Sequence, residues 1–260
     1  MGKEKATSGS HEAIVLPAIP WLRDGVGYEA YLESCLEHIK AQEIPPNVKF
    51  LSPFITSPID DDVEIPEKWR YHLTTPKLNE IVDELLASEA THLMAFDADS
   101  EAPPNALKTL LAHDVDVASG ISPPHKTMVY TTAFKYVPAP TPALLASEPY
   151  FKPYKLEELR HTTVGTNELV ATGHFCCLIK RHVFDTFRFR WPGLKVTRTK
   201  RVECPVCREK FPVDHECIKS RHGAEILFWM DAQMFGYSVV IDGHILCGHL
   251  PEFPLSELVG

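Results

Sequence analysis

In the first 120 residues, short apolar runs that stop at proline, glycine or acids alternate with stretches whose apolar residues recur at helical spacing. The runs are 13–19, ended by Pro20; 48–55, leading to Pro58 and the acidic turn Asp60, Asp61, Asp62; 91–96, stopped by Asp97-Ala98-Asp99; and 115–118, ended by Gly120. Between them, residues 28–39 place Tyr31, Cys35, Leu36 and Ile39 on one face. Thr75 and Pro76 read as N-cap and first position of a helix striped by Leu78, Ile81, Val82, Leu85 and Leu86. Pro103 and Pro104 introduce another that carries Leu107, Leu110 and Leu111. Runs this short suit strands buried on both faces, and strands alternating with helices predict an α/β chain, a Rossmann-like mostly parallel sheet with helices on both faces.

The second half has a different texture. Residues 128–136 and 169–179 are β-rich and are separated by a proline-rich stretch, 137–154; an apolar helix follows over 224–235 and a strand over 238–247. At 260 residues the expected organisation is a single domain, 11–260, after a disordered polar tail at 1–10, with halves at 11–125 and 126–260.

Composition narrows the function classes. The 44% hydrophobic and 23% charged residues exclude disordered and fibrous chains. No apolar run reaches the 18 or so residues needed to cross a bilayer. The net charge of −9 is segregated: residues 180–222 hold 12 Lys/Arg against 5 Asp/Glu, leaving 14 against 30 elsewhere. A basic stretch attracts phosphate-bearing partners whatever the total charge, so nucleic acid and lipid phosphate both stand as candidate acceptors, beside the plainer reading of a solvated loop. Seven cysteines, an odd number with Cys176 and Cys177 adjacent, in a chain without a secretory apolar region, point to a reducing compartment and hence the cytoplasm.

In open α/β sheets ligands bind beyond the carboxyl ends of the strands, where Asp97 and Asp99 fall. Two acids spaced i, i+2 at a strand end can turn to one cation. Carboxylate oxygens suit Mg²⁺ or Mn²⁺, which bridge diphosphate oxygens and neutralise charge on a departing nucleotide. Acidic pairs in loops are common, and the surrounding stretch gives this one its meaning. "KLNEIVDELLASEATHLMAFDADSEAPPNALKTLLAHDVDVASG", Lys77 to Gly120, resembles the donor-binding segment of A-type-fold, family-2-like glycosyltransferases. There a helix, a strand ending in the acidic motif, a proline pair, a leucine-rich helix and a strand ending in glycine follow in that order.

Two later stretches fit the same resemblance. "ATGHFCCLIKRHVFDTF" is similar to the strand and helix before the acceptor site, with Gly173 at the turn that approaches the sugar. "GAEILFWMDAQMFGYSVVIDGHILCGHL" is similar to the segment with the acceptor-activating acid, a helix, a Gly-Tyr turn, a strand and a terminal histidine. The resemblance implies a nucleotide-diphosphate sugar as donor. It also implies Glu225 as the base that takes the acceptor hydroxyl's proton, and Asp97, Asp99 and His249 as ligands of a catalytic Mn²⁺ or Mg²⁺. Direct displacement with inversion at the anomeric carbon would follow. Asn79 takes the place where such enzymes often carry Asn after Arg, although Leu78 precedes it here, and Ala224 stands where the family has the Glu of a Glu-Asp pair. Asp60 is a candidate contact for base or ribose, or else part of a solvated turn.

Between the acceptor-side stretches lies "CPVCREKFPVDHEC", inside a Cys/His insertion at 198–222. Cys204, Cys207, His215 and Cys217 supply enough ligands to close a tetrahedral structural Zn²⁺ site, with His222 as an alternative to His215. A metal cross-link would hold a self-repelling basic loop in one shape next to Glu225. Two other functions remain in view. One is a non-catalytic nucleic-acid-binding module that uses the basic zinc knuckle, with the α/β part as scaffold. The other, a nucleotidyltransferase, calls for a glycine-rich phosphate loop after the first strand, and "PAIPWLRDG" offers none.

Overall fold

The computed structural model describes residues 13–21, 28–56, 70–124, 128–137, 150–165, 167–189, 202–203, 210–211, 223–251 and 254–258. The first half alternates as expected: β1 (Ala13–Ile19), α1 (Tyr28–Lys40), β2 (Val48–Phe50), β3 (Phe54–Ile55), α2 (Arg70–Ala87), β4 (His92–Ala95), β5 (Ser100–Glu101), α3 (Ala106–Ala112) and β6 (Val117–Ile121). The second half adds β7 (Tyr130–Val137), β8 (Tyr150–Lys155), the short α4 (Leu156–Leu159), β9 (Thr163–Val164), β10 (Val170–Ala171) and β11 (Cys177–Lys180). Then come β12 (Val202–Glu203), β13 (Lys210–Phe211), α5 (Ala224–Met234), β14 (Val239–Leu246), β15 (Gly248–His249) and α6 (Leu255–Leu258).

The central sheet runs β2-β1-β4-β11-β6-β14-β9, with β3 also on β1. β1 is parallel to β2, β3 and β4, and β14 is parallel to β6. β11 is antiparallel to both β4 and β6, and β9 antiparallel to β14. The fold is therefore α/β with a mostly parallel mixed sheet. Helices cover both faces. Leu16, Ala18, Leu93 and Ile179 pack with Leu78, Ile81 and Leu85 of α2 and Phe228 of α5 on one side. Val15, Ile19, Met94 and Leu178 pack with Cys35 and Ile39 of α1 and Leu107 and Leu110 of α3 on the other. α5 buries the successive residues Ile226, Leu227, Phe228 and Trp229, as an all-round apolar helix must.

Several boundaries differ from the sequence expectation, each for a physical reason. The strand expected over 48–55 is two pieces, because the interruption between β2 and β3 contains Pro53 and lies beside Pro17 of β1, and neither proline has an N–H to offer the ladder. Thr75 and Pro76 do not begin α2: the helix starts at Arg70 and Pro76 lies inside it, so the local start signal is overridden by a longer element. Gly120 does not end β6 but lies within it. A Cβ there would come 2.7 Å from the Ile245 carbonyl oxygen, so the glycine serves close strand approach. The stretch 169–179 divides between two sheets: β10 pairs with β7 in a small sheet, β10-β7-β8, and β11 joins the central one. The tail 1–10 and residues 138–149 of the proline-rich stretch lie outside the described residues.

A buried acid fastens α3 to the sheet. Asp242 of β14 is 2% exposed. Its two oxygens accept from His113 Nε2 at 2.7 Å and from His244 Nδ1 at 2.7 Å and the His244 amide at 2.8 Å. Burial works to raise its pKa, but these hydrogen bonds outweigh burial and hold the carboxyl below the usual range. With the folded pKa depressed, the stabilisation is present above the unfolded carboxylate value and is lost as pH falls through the folded one. Asp242→Ala is expected to lower unfolding free energy by about 2–3 kcal/mol at pH 7. It should also flatten the acid limb of a stability-versus-pH curve measured by urea titration.

Candidate active site

The carboxyl ends of β4, β6 and β14 meet at one edge of the sheet. The chain leaving β4 carries Asp97 and Asp99, the chain leaving β6 carries Pro123, and β14 continues into β15 with His249. β15 pairs antiparallel with β5, His249 opposite Ser100 and Gly248 opposite Glu101, and the Leu250 amide donates to the Asp99 carbonyl at 2.9 Å. This short ladder brings residues 150 positions apart into one site: His249 Nε2 lies 3.5 Å from Asp99 Oδ2. The Pro123 carbonyl can only accept, so the contact from His249 Nδ1, at 3.0 Å, fixes a proton on Nδ1. Nε2 is thus the nitrogen that faces Asp99: protonated, it donates to the carboxylate, and in the neutral ring it offers a lone pair to a cation, the tautomer found in metal-ligating histidines.

The charges are strongly coupled. Burial, helped by the neighbouring Asp99 and Glu225 carboxylates and opposed by His249, pushes Asp97 up to about 8. At neutral pH its ionised form therefore needs a compensating positive charge. Burial pulls His249 down, yet the Asp99 hydrogen bond and charge, the Pro123 carbonyl and Asp97 outweigh it and leave its pKa raised. Glu225, in the first turn of α5, is also raised, by burial, against a lowering contact from its own amide N–H. Its carboxylate folds back over Gly223, where a Cβ would lie 2.6 Å from Oε2. It thus has both the helix-terminal placement that a dipole favours and proximity to Asp97.

Asp97, Asp99, Glu225 and His249 thus share one neighbourhood. Among the described residues no group of three or more His, Cys, Asp or Glu side chains is arranged to hold a metal ion. The expected trio stands as an Asp99–His249 pair with Asp97 beside it. The pair fits a divalent cation: oxygen and nitrogen ligands on adjacent octahedral positions at roughly 2.1 Å from an ion lie about 3 Å apart, close to the spacing here.

The other expected residues have different settings. Asn79, on α2, donates from Nδ2 to the Phe189 carbonyl at 2.9 Å, an anchor for the chain after β11. Gly173 adjoins the Phe175 ring, which a Cβ would meet at 2.4 Å. That ring packs edge-on against His249, centroids 5.2 Å apart. His174 is fully buried between Phe189 and Phe228, and burial lowers its pKa to about 3, so it is a neutral packing residue. Asp60, Cys204, Cys207, His215, Cys217 and His222 lie outside the described residues; β12 and β13, which flank 204–209, pair antiparallel.

Sequence reasoning missed Phe175 and a polar row on α1. Ser34 Oγ donates to Glu101 Oε1 at 2.6 Å, Cys35 Sγ to the Asp97 carbonyl at 3.5 Å, and His38 Nδ1 meets the Ala102 carbonyl at 3.1 Å. Just past the helix, Gln42 donates to the Pro103 carbonyl and accepts from the Leu107 amide, both at 3.0 Å, which caps α3. The available signal was the four-residue spacing of Ser34, His38 and Gln42 along the border of the apolar stripe. A cavity of about 330 Å³ lined by Gly165, Leu169, Gln233 and Val239 lies at the amino end of β14, away from the acids and outside this site.

No model of a known protein family matches the sequence, and no curated protein matches it. Among solved structures, A197 from STIV aligns over 92% of this chain and 86% of its own, at 12% identity and a TM-score of 0.46. S. aureus TarS 1–349 in complex with UDP aligns over 90% of this chain and 60% of its own, at 13% identity and a TM-score of 0.41. The complex of TarS 1–349 with UDP-GlcNAc gives 90%, 58%, 10% and 0.41. These are loose likenesses, and the roles of individual residues rest on the geometry above. No helix among the described residues is long and apolar enough to cross a membrane.

The Gly173–Phe175–His249 stack gives a direct test of local packing. Gly173→Ala is expected to lower the melting temperature and broaden the His249 ring resonances in NMR. Phe175→Leu in the same chain should restore much of the loss, because the smaller side chain makes room for the added methyl.

Proposed function

We propose that this chain is a metal-dependent glycosyltransferase that moves a sugar from a nucleotide-diphosphate donor to an acceptor hydroxyl, with inversion. The observation that carries the reading is the assembly of Asp97, Asp99, Glu225 and His249, drawn from three separate stretches of sequence, at the carboxyl edge of the sheet. Asp99 and His249 would hold Mn²⁺ or Mg²⁺, with Asp97 in its field. A bound divalent cation would neutralise charge developing on the leaving diphosphate.

The chain's own groups supply the rest. Glu225 is half-buried at the start of α5, where desolvation raises its proton affinity, as suits a base that takes the acceptor hydroxyl's proton while that oxygen attacks the anomeric carbon. His249 is oriented by Pro123 and braced by Phe175. Asp60 and Gly173 remain proposed donor contacts, and Asn79 contributes through the Phe189 segment it anchors. The basic insertion would favour an anionic acceptor, a modified nucleic-acid base or a lipid phosphate, and would be held by Zn²⁺ on Cys204, Cys207, Cys217 and His215 or His222.

The decisive experiment measures donor hydrolysis and transfer over a panel of nucleoside-diphosphate sugars, UDP-GlcNAc among them, with and without Mn²⁺. One donor class should turn over only with metal. Asp99→Ala should reduce turnover on the order of a hundredfold or more. Glu225→Gln should slow transfer by about a hundred- to ten-thousandfold while nucleotide affinity is kept. If no donor reacts and the protein instead binds DNA with a steep salt dependence, the nucleic-acid-binding module replaces this proposal.

The zinc proposal is tested separately by metal analysis of protein never exposed to chelator. About one equivalent is expected for a closed four-ligand site, falling on Cys207→Ser, and less than about half an equivalent in the unaltered chain rejects the site.

A further inference from the structure

Glu101 is a buried acid two residues beyond Asp99, 7% exposed, to which neither the motif nor the proposed chemistry gives a part. Both of its oxygens are engaged, on different elements. Oε1 accepts from Ser34 Oγ of α1 at 2.6 Å, with His38 Nε2 3.6 Å away, and Oε2 accepts from the Leu255 amide at the start of α6 at 2.6 Å. Its backbone meanwhile pairs with Gly248 in the ladder that sets His249 opposite Ser100. One residue therefore touches the helix under the acidic loop, the strand beside His249 and the segment that follows it.

A buried carboxylate is costly to desolvate and persists where its hydrogen bonds are made in full. Here both donors point into it from chain segments far apart in sequence, Ser34 on α1 and Leu255 at the start of α6. That ladder is only two residues long on each strand, too short to hold register unaided.

We propose that Glu101 is a positioning residue for the carboxylate–histidine pair: it ties the segment carrying His249 to α1 and to the acidic loop, so that Asp99 and His249 stay within one ligand sphere. The metal part of this inference rests on the proposed function; the mechanical part does not. Glu101 acts through shape and hydrogen bonding, and its negative charge is not what the site requires of it. Glutamine can replace it in both roles, its Oε1 accepting from the Leu255 amide and its Nε2 donating to Ser34 Oγ.

The test compares Glu101→Ala, Glu101→Gln and Ser34→Ala with the unaltered full chain by two readouts. One is amide hydrogen exchange over residues 248–255, which includes the Leu250 and Leu255 donors. The other is Mn²⁺ affinity, read from the free aquo-ion signal in electron paramagnetic resonance without substrate. Glu101→Ala should speed exchange in that segment by about tenfold or more and weaken Mn²⁺ binding about tenfold. Ser34→Ala should show a smaller change in the same direction, and it keeps the inference testable should the alanine variant at 101 fail to fold. Glu101→Gln should stay within about twofold of the unaltered chain on both readouts.

Unchanged exchange in Glu101→Ala overturns the proposal. So does a glutamine variant as impaired as the alanine one, since that makes the charge, and hence direct ligation, the operative property. If the unaltered chain binds no Mn²⁺, the metal-dependent function falls, and the exchange comparison then decides the role of Glu101 alone.

Discussion

A row of polar groups on one helix holds the acidic loop in place. Ser34, Cys35, His38 and, just past the helix, Gln42 reach from α1 to Glu101, Asp97, Ala102, Pro103 and Leu107, mostly through backbone atoms. Three acids within five residues repel one another, and a loop carrying them would open if only its own backbone held it. With the backbone anchored from outside, the side chains of Asp97 and Asp99 stay at the sheet edge while the main chain that carries them is satisfied. Gln42 caps α3 in place of the side chain of Asn105, which makes no such bond, so the same row also fixes where the next helix begins.

That anchoring concentrates like charge at a cost. Asp97 is pushed to about 8 by burial and by its acidic neighbours. Carboxylates grouped this way destabilise the fold unless protonated or matched by positive charge, and such conflict between stability and local electrostatics is typical of sites that do chemistry. His249 supplies part of the match, and its placement depends on contacts of several kinds. The Pro123 carbonyl sets its tautomer, the Phe175 ring limits its swing, and the β5–β15 ladder delivers it to Asp99. None of the three could be seen by inspecting the histidine's own neighbours in sequence.

The elements of the first half were legible because burial on both faces leaves a plain signature: β1, β4 and the helices α1 and α3 follow the apolar runs and stripes closely. The misreadings came where tertiary contact overrides a local signal. Gly120 looked like a strand end and is a point of close approach to Ile245. Thr75 and Pro76 looked like a helix start and lie within α2. The acids and the terminal histidine were visible as residue types in order along the chain. Their meeting could not be read from spacing, since it depends on a two-residue ladder between segments 150 positions apart. Asp60 and the cysteine set fall outside the described residues.

β11 runs against its neighbours and fills the space between β4 and β6. Everything up to residue 121 can be synthesised and still leave the middle of the sheet open, with the hydrogen-bonding edges of β4 and β6 facing a gap that residues 177–180 must fill. The amino-terminal portion can pair β1 with β2, β3 and β4, but it cannot complete the sheet while the ribosome is still making the rest. It has to wait, with two unsatisfied strand edges, for a segment more than fifty residues downstream. A sheet closed from the inside also ties the two halves into one cooperative body, so that a cut made between them would leave two incomplete sheets instead of two smaller proteins.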